Sequence, residues 1–327
     1  MRLKFNSIFR SDMQTYMELR MCSMSKNTYR LDGYRLMFFD RFLCDKDHKE
    51  ELVSEKDINE WLIVAKVPQA SLEGYIKTIR GFMKFRGNQG NPVYMPPYRK
   101  KTDTYVPYIF TAEEMGKIIL CADSMRAIMP RLVLPYIYAE IPVILRLLYC
   151  NGLRLGEALQ IRISDIDFEH GVIKIVHAKR NKQRLVPLHS SLQSIIFRYC
   201  MALGIIGQPD AYIFPGKTFD THISDLALER NFKKILQHLG IINGNENIHE
   251  RGPCLHCFRH CFMLNSFKQL EAAGYTVDIS SPYLSVYCGH ESLLESEKYM
   301  KFSSEMFRDE MLCFESFIED FLPEVDL

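Results

Sequence analysis

Arg154, His256 and Arg259 are residue types that phosphate chemistry calls for, and their local wording groups them as Gly152-Leu153-Arg154-Leu155-Gly156-Glu157 and His256-Cys257-Phe258-Arg259-His260. A phosphodiester resists attack because its negative charge repels nucleophiles and its alkoxide leaves poorly. A site that breaks one therefore supplies fork-shaped positive donors, a nucleophile and a proton source. Guanidinium is permanently charged and meets two phosphate oxygens at once, which makes Arg154 and Arg259 the candidate donors. Glu157 lies one helical turn beyond Arg154, where it can orient that side chain. His256 and Arg259 are three residues apart, so on a helix they share a face and can meet one phosphate. Farther along stand Lys179, in a polar turn, and Gly289-His290, with Tyr299 nine residues after the histidine. Nine residues in one straight helix rotate by about 180°. His290 and Tyr299 can therefore serve one site only from different elements, the histidine at a turn and the tyrosine on the helix that follows.

Mostly helical elements must position these groups. Residues 1–87 carry helical wording, with a start at Ser25-Lys26-Asn27-Thr28 and a second at Ser54-Glu55-Lys56-Asp57. A third helix is predicted over Ser71 to Arg86, with Leu72, Ile76, Ile79, Phe82 and Met83 on one face. Strand patterns are absent there, and about four helices are expected. Residues 88–108 hold Gly, Pro, Asn and basic residues without a helical period, which reads as a linker. Thr111, with a glutamate three residues on, opens the next helix as an N-cap. One β interruption is predicted, Val172-Ile173-Lys174-Ile175-Val176 returning as Arg184-Leu185-Val186-Pro187-Leu188 around the turn that carries Lys179.

In this order the boxes resemble the tyrosine recombinase (phage-integrase) superfamily, and the resemblance runs unbroken over roughly residues 105–302. The family's second box reads His-x-x-Arg-His and stands whole at 256–260. The resemblance implies a mainly α fold with a small β-hairpin or sheet. It also implies a two-domain C-shaped DNA clamp with a helical, SAM-like DNA-binding domain (1–87), the linker (88–108), an integrase-type catalytic domain (109–302) and an acidic tail (303–327). Tyr299 is then the nucleophile that forms a 3′-phosphotyrosyl link. Lys179 protonates the departing 5′ oxygen, with Lys182 its nearest competitor. Arg154, His256, Arg259 and His290 complete the catalytic set, and Glu157 supports it. Neither metal nor nucleotide cofactor is implied. The partners are double-stranded DNA and a tetramer on DNA, of like chains or of related recombinases. Arg259 to His290 spans 31 residues, longer than the common integrase spacing. The wording Pro282-Tyr283-Leu284-Ser285-Val286-Tyr287 within that extra length resembles the branch carried by transposons and recombinase-in-trio elements.

The net charge of +1 conceals an uneven distribution. Between Gly74 and Thr102 stand Lys77, Arg80, Lys84, Arg86, Arg99, Lys100 and Lys101 with no acid among them, and these are the expected DNA-binding residues. From Ser303 onward there are eight acids against Arg308 alone; without that tail 40 basic and 32 acidic residues leave +8. Its apolar residues, among them Met306, Met311, Phe314 and Phe321, together with Phe302 just before it, have spacing suited to an amphipathic helix. Cys254, Cys257 and Cys261 beside His256 and His260 invite a zinc reading, but structural zinc sites usually pair two such knuckles and only one is present. Small helix-packing thiols are the preferred reading, and a cytoplasmic protein without a membrane span is expected. Two rival functions share the pattern: a catalytically silent DNA-binding accessory, which would show a broken site, and a type IB topoisomerase-like relaxing enzyme.

Overall fold

The computed structural model describes residues 3–67, 69–98, 107–129, 136–176, 183–243 and 252–289. The chain divides into two compact units, Met1–Thr104 and Tyr105–Leu327.

Four helices build the first unit: α1 (Arg10–Ser23), α2 (Lys26–Asp45), α3 (Glu55–Val64) and α4 (Gln69–Asn88). Two begin where the sequence predicts. The Ser25 hydroxyl accepts from the Thr28 amide, and Ser54 and Asp57 exchange side chain and backbone in a complete capping box. Their apolar faces bury Met13, Leu36, Phe39, Trp61, Phe82 and Met83, with Trp61 edge-on to Phe39 at 5.0 Å. The basic run on α4 is corrected at one position. Arg86 is 3% exposed, donates to Asp12 at 2.9 Å and to the Glu51 carbonyl at 2.9 Å, and covers the Phe9 ring. So buried, this guanidinium braces the helices instead of lying on the surface with its basic neighbours. Arg80 is half-buried, donating to the Pro96 carbonyl and lying over Tyr98 at 4.0 Å, whereas Lys77 and Lys84 are exposed. Arg99, Lys100 and Lys101 lie outside the described residues.

The second unit is mainly helical around a small sheet. Its elements are α5 (Ala112–Asp123), α6 (Met125–Ile128), α7 (Ile137–Asn151), α8 (Leu155–Leu159), β1 (Ile166–Asp167), β2 (Val172–Ile175), β3 (Arg184–Pro187), α9 (Ser190–Ala202), α10 (Asp225–His238), α11 (His256–Ala272) and α12 (Val277–Cys288). Thr111 and Glu114 form the capping box expected ahead of α5. The apolar helix α7 is the centre, packed by α5, α9 and α11. The sheet is antiparallel in the order β1-β2-β3, and its register sets Ile173 against Val186, both fully buried. That pairing leaves the alternate residues Lys174 and Leu185 on the exposed side. The predicted hairpin is therefore present, each strand one residue shorter, with Lys179 and Lys182 of its turn outside the described residues. The stretch between Arg259 and His290 holds the remainder of α11 and all of α12.

Candidate active site

Gly152 ends α7 in the left-handed region, at φ 57°. A Cβ there would meet the Phe262 ring at 2.2 Å, so the position requires glycine for space as well as for backbone freedom. The turn buries Leu153 and places Arg154 at the N-cap of α8. Glu157, in the first turn of that helix, accepts from the Arg154 amide at 3.1 Å and from Arg154 Nη1 at 3.0 Å. The carboxylate orients the guanidinium as the three-residue spacing predicts.

Arg259 arrives from another direction, in the first turn of α11. It is 2% exposed and donates from Nη1 to the Gly152 carbonyl at 2.6 Å and from Nη2 to the Cys288 carbonyl at 2.7 Å. Arg154 reaches the same chain end, with Nη2 2.9 Å from the Gly289 carbonyl and Nη1 3.4 Å from that of Cys288. Gly289 closes α12 at φ 64°, and a Cβ on it would lie 3.5 Å from Arg154 Nη1. Three distant boxes therefore meet: both arginines converge on the backbone that immediately precedes His290. His290 and Tyr299 themselves lie outside the described residues.

His256 opens α11 on its exposed side, its ring 4.7 Å from that of His260. His260 is buried. Desolvation, with His256 and Arg259 as positive neighbours, pushes its pKa down to about 3, so it packs as a neutral ring. The Cys254 sulfur lies 3.7 Å from that of Cys257, and Cys261 points to the Phe110 carbonyl. Among the described residues no group of three His, Cys, Asp or Glu side chains is placed to hold a metal ion.

One side chain at the site was legible in the sequence only as the start of a strand. Arg184 donates from Nη2 to Glu157 Oε2 at 2.7 Å and from Nη1 to Oε1 at 3.2 Å. Burial works against the Glu157 charge, but the hydrogen bonds and charge of Arg184, joined by Arg154, outweigh it and hold the carboxyl below its usual pKa. The available signal was alternation: Arg184 shares the inward face of β3 with Val186.

The phage integrase family model matches residues 118–303, more than half of the chain. The y4rB chain of Sinorhizobium fredii, which carries an integrase/recombinase name, is 26% identical over 333 residues, covering 96% of this chain and 99% of its own length. The tyrosine recombinase XerC of Staphylococcus carnosus is 28% identical over 183 residues, covering 54% of this chain and 58% of XerC. Among solved structures, a lambda integrase dimer bound to a COC' core site aligns with a TM-score of 0.67 at 17% identity, over 92% of this chain and 79% of that one. The Tn1549 transposon integrase in complex with a circular intermediate DNA aligns at 0.61 and 16% identity, over 93% and 99%. At these identities the two likenesses concern the fold, which is mainly helical with a small antiparallel sheet.

Proposed function

This chain belongs to the phage integrase family, and we propose that it carries out site-specific DNA recombination with Tyr299 as nucleophile. The observation that carries the reading is the convergence of Arg154 and Arg259, from separate elements, on the backbone next to Gly289-His290. Arg154, about a quarter exposed, can turn its fork to the non-bridging oxygens of a scissile phosphate, and the buried charge of Arg259 behind it helps stabilise the charge that builds as the phosphorus becomes five-coordinate. Tyr299 attacks phosphorus, the 5′ oxygen departs, and a 3′-phosphotyrosyl bond replaces the phosphodiester. A phenol with a pKa near 10 is a weak nucleophile at neutral pH, so the arginines and a proton acceptor, His256 or His290, are needed to activate it. Lys179 returns a proton to the 5′ oxygen. The hydroxyl of a second strand then reverses the step. The bond energy stays in the covalent link, so the reading requires neither metal nor nucleotide cofactor.

The finer assignments belong to the same proposal. Residues 1–87 grip the duplex, with Lys77 and Lys84 exposed on α4 and Arg99, Lys100 and Lys101 supplied by the 88–108 linker. Residues 109–302 form the catalytic domain and 303–327 the acidic tail. Exchange between two duplexes uses four active sites, hence a tetramer on DNA. The Pro282–Tyr287 wording supports a mobile-element role in the transposon branch, and the compartment is the cytoplasm. No helix among the described residues is long and apolar enough to cross a membrane.

A nicked suicide DNA carrying the chain's own site tests the nucleophile. The protein forms a covalent adduct that Tyr299→Phe abolishes while DNA binding survives; an adduct retained by that variant refutes the assignment.

A further inference from the structure

Glu157 is a buried carboxylate shared by two guanidiniums, its side chain 3% exposed against 11% for Arg184 and 26% for Arg154. The sharing is unequal. Arg184 takes both oxygens in a fork, whereas the Arg154 guanidinium touches only Oε1, through Nη1, and turns Nη2 to the Gly289 carbonyl. We propose that Arg184 is a positioning residue for strand cleavage: by holding Glu157 bidentately it fixes the carboxylate that orients Arg154 toward the scissile phosphate. The proposal rests on the reading of Arg154 as a phosphate donor.

A second observation ties Arg184 to the same spot. A Cβ on Gly289 would lie 3.2 Å from Arg184 Nη1 and 3.5 Å from Arg154 Nη1, so the bare backbone ahead of His290 is packed against both forks. Arg184 thereby holds Glu157 on one side and bounds the Gly289 turn on the other.

A packing role and a positioning role differ in their response to pH. Arg184 supplies the largest influence that keeps Glu157 ionised against its burial. Without it the carboxyl pKa rises, and as pH falls through the raised value the protonated acid releases its hold on Arg154. Cleavage by Arg184→Met is expected to gain an acid limb beyond the one that protonation of the histidine acceptor gives the parent. Replacing Glu157 by glutamine in the same background removes the titrating group and the limb with it.

The test measures single-turnover cleavage of nicked suicide DNA at saturating protein from pH 5.5 to 8.5, together with DNA affinity and thermal melting. Arg184→Met is expected to cleave at least about tenfold more slowly at pH 7, with affinity within about threefold of the parent, and to show the acid limb. Arg184→Lys keeps the charge without the fork, and is expected to give an intermediate rate and the parent's profile. Parent-like rates and profiles in both variants overturn the proposal. So does a rate loss in Arg184→Met that tracks equal losses of affinity and melting temperature without the added acid limb. Arg154→Met in the parent background separates the premise: if it cleaves normally, the phosphate reading fails whatever Arg184 does.

Discussion

Glu140 has no part in the proposed chemistry, yet it makes the sharpest physical prediction. It lies in the first turn of α7, 1% exposed, and its Oε1 finds no hydrogen-bond partner among the described residues. Burial pushes its pKa up to about 8 from an ordinary 4.5. In the folded chain the carboxyl keeps its proton up to about pH 8, whereas the unfolded chain releases it near 4.5. Unfolding therefore releases a proton throughout that window. Stability is fully present below pH 4.5, falls as pH rises, and levels off above pH 8. Each pH unit within the window is worth about 1.4 kcal/mol, so at pH 7.5 the accumulated loss is about 4 kcal/mol. Glu140→Gln removes the titration, although its amide needs a partner and the substitution gives back about 1–3 kcal/mol. The variant is expected to be about 1–3 kcal/mol more stable than the parent at pH 7.5 and no more stable at pH 5. Urea titrations followed by far-ultraviolet circular dichroism at both pH values read the difference. Trp61, the single tryptophan of the chain, is buried in the first unit, so its fluorescence follows that unit separately. A glutamine variant with the parent's pH dependence, or one destabilised equally at both pH values, refutes the reasoning.

The remaining predictions concern the site. Gly152→Ala combines a left-handed backbone with a Cβ 2.2 Å from the Phe262 ring. It is expected to cost about 2–4 kcal/mol and to slow cleavage by displacing the carbonyl that accepts from Arg259; denaturant titration and the suicide-substrate assay check both. Lys179→Ala is expected to slow cleavage of ordinary DNA by about a hundredfold, and much less when the 5′ bridging oxygen is sulfur, which leaves without protonation. Equal losses on the two substrates move the role to Lys182.

Helix starts were legible where the signal was local. Ser25, Ser54 and Thr111 sit at the caps they predict because capping involves a side chain and an amide only three residues away. Helix α1 was not delimited: Phe9 at its N-cap position makes no side-chain cap, and the helix buries only Met13, Tyr16 and Met17. The Arg154–Glu157 contact followed from spacing, whereas the acceptors of Arg154 and Arg259 are backbone carbonyls of Gly152, Cys288 and Gly289, which any sequence would carry. Charge runs gave the sign of a surface without saying which side of α4 faces out, and so Arg86 was misread while Lys77 and Lys84 beside it are exposed. Arg184 escaped notice because its partner is 27 residues away. For Lys179, His290 and Tyr299, outside the described residues, the reading stands on the order of the boxes alone, and for the acidic tail on its charge and apolar spacing.

The contrast in burial between the two arginines bears on how such a protein decays. Arg259 is interior and ties the end of α7 to the end of α12 through the Gly152 and Cys288 carbonyls. Its loss strips buried acceptors of their donor and loosens the domain along with the chemistry. Arg154 is about a quarter exposed, so its loss is expected to leave a sound fold and, on the proposed reading, an idle site. Natural variation therefore has two unequal exits from activity. Lineages that fail at Arg259 are expected to lose the folded protein, whereas those that fail at Arg154 keep a folded scaffold open to a new employment. A silent descendant of this chain is expected to bear its scar at position 154 and to retain arginine at 259.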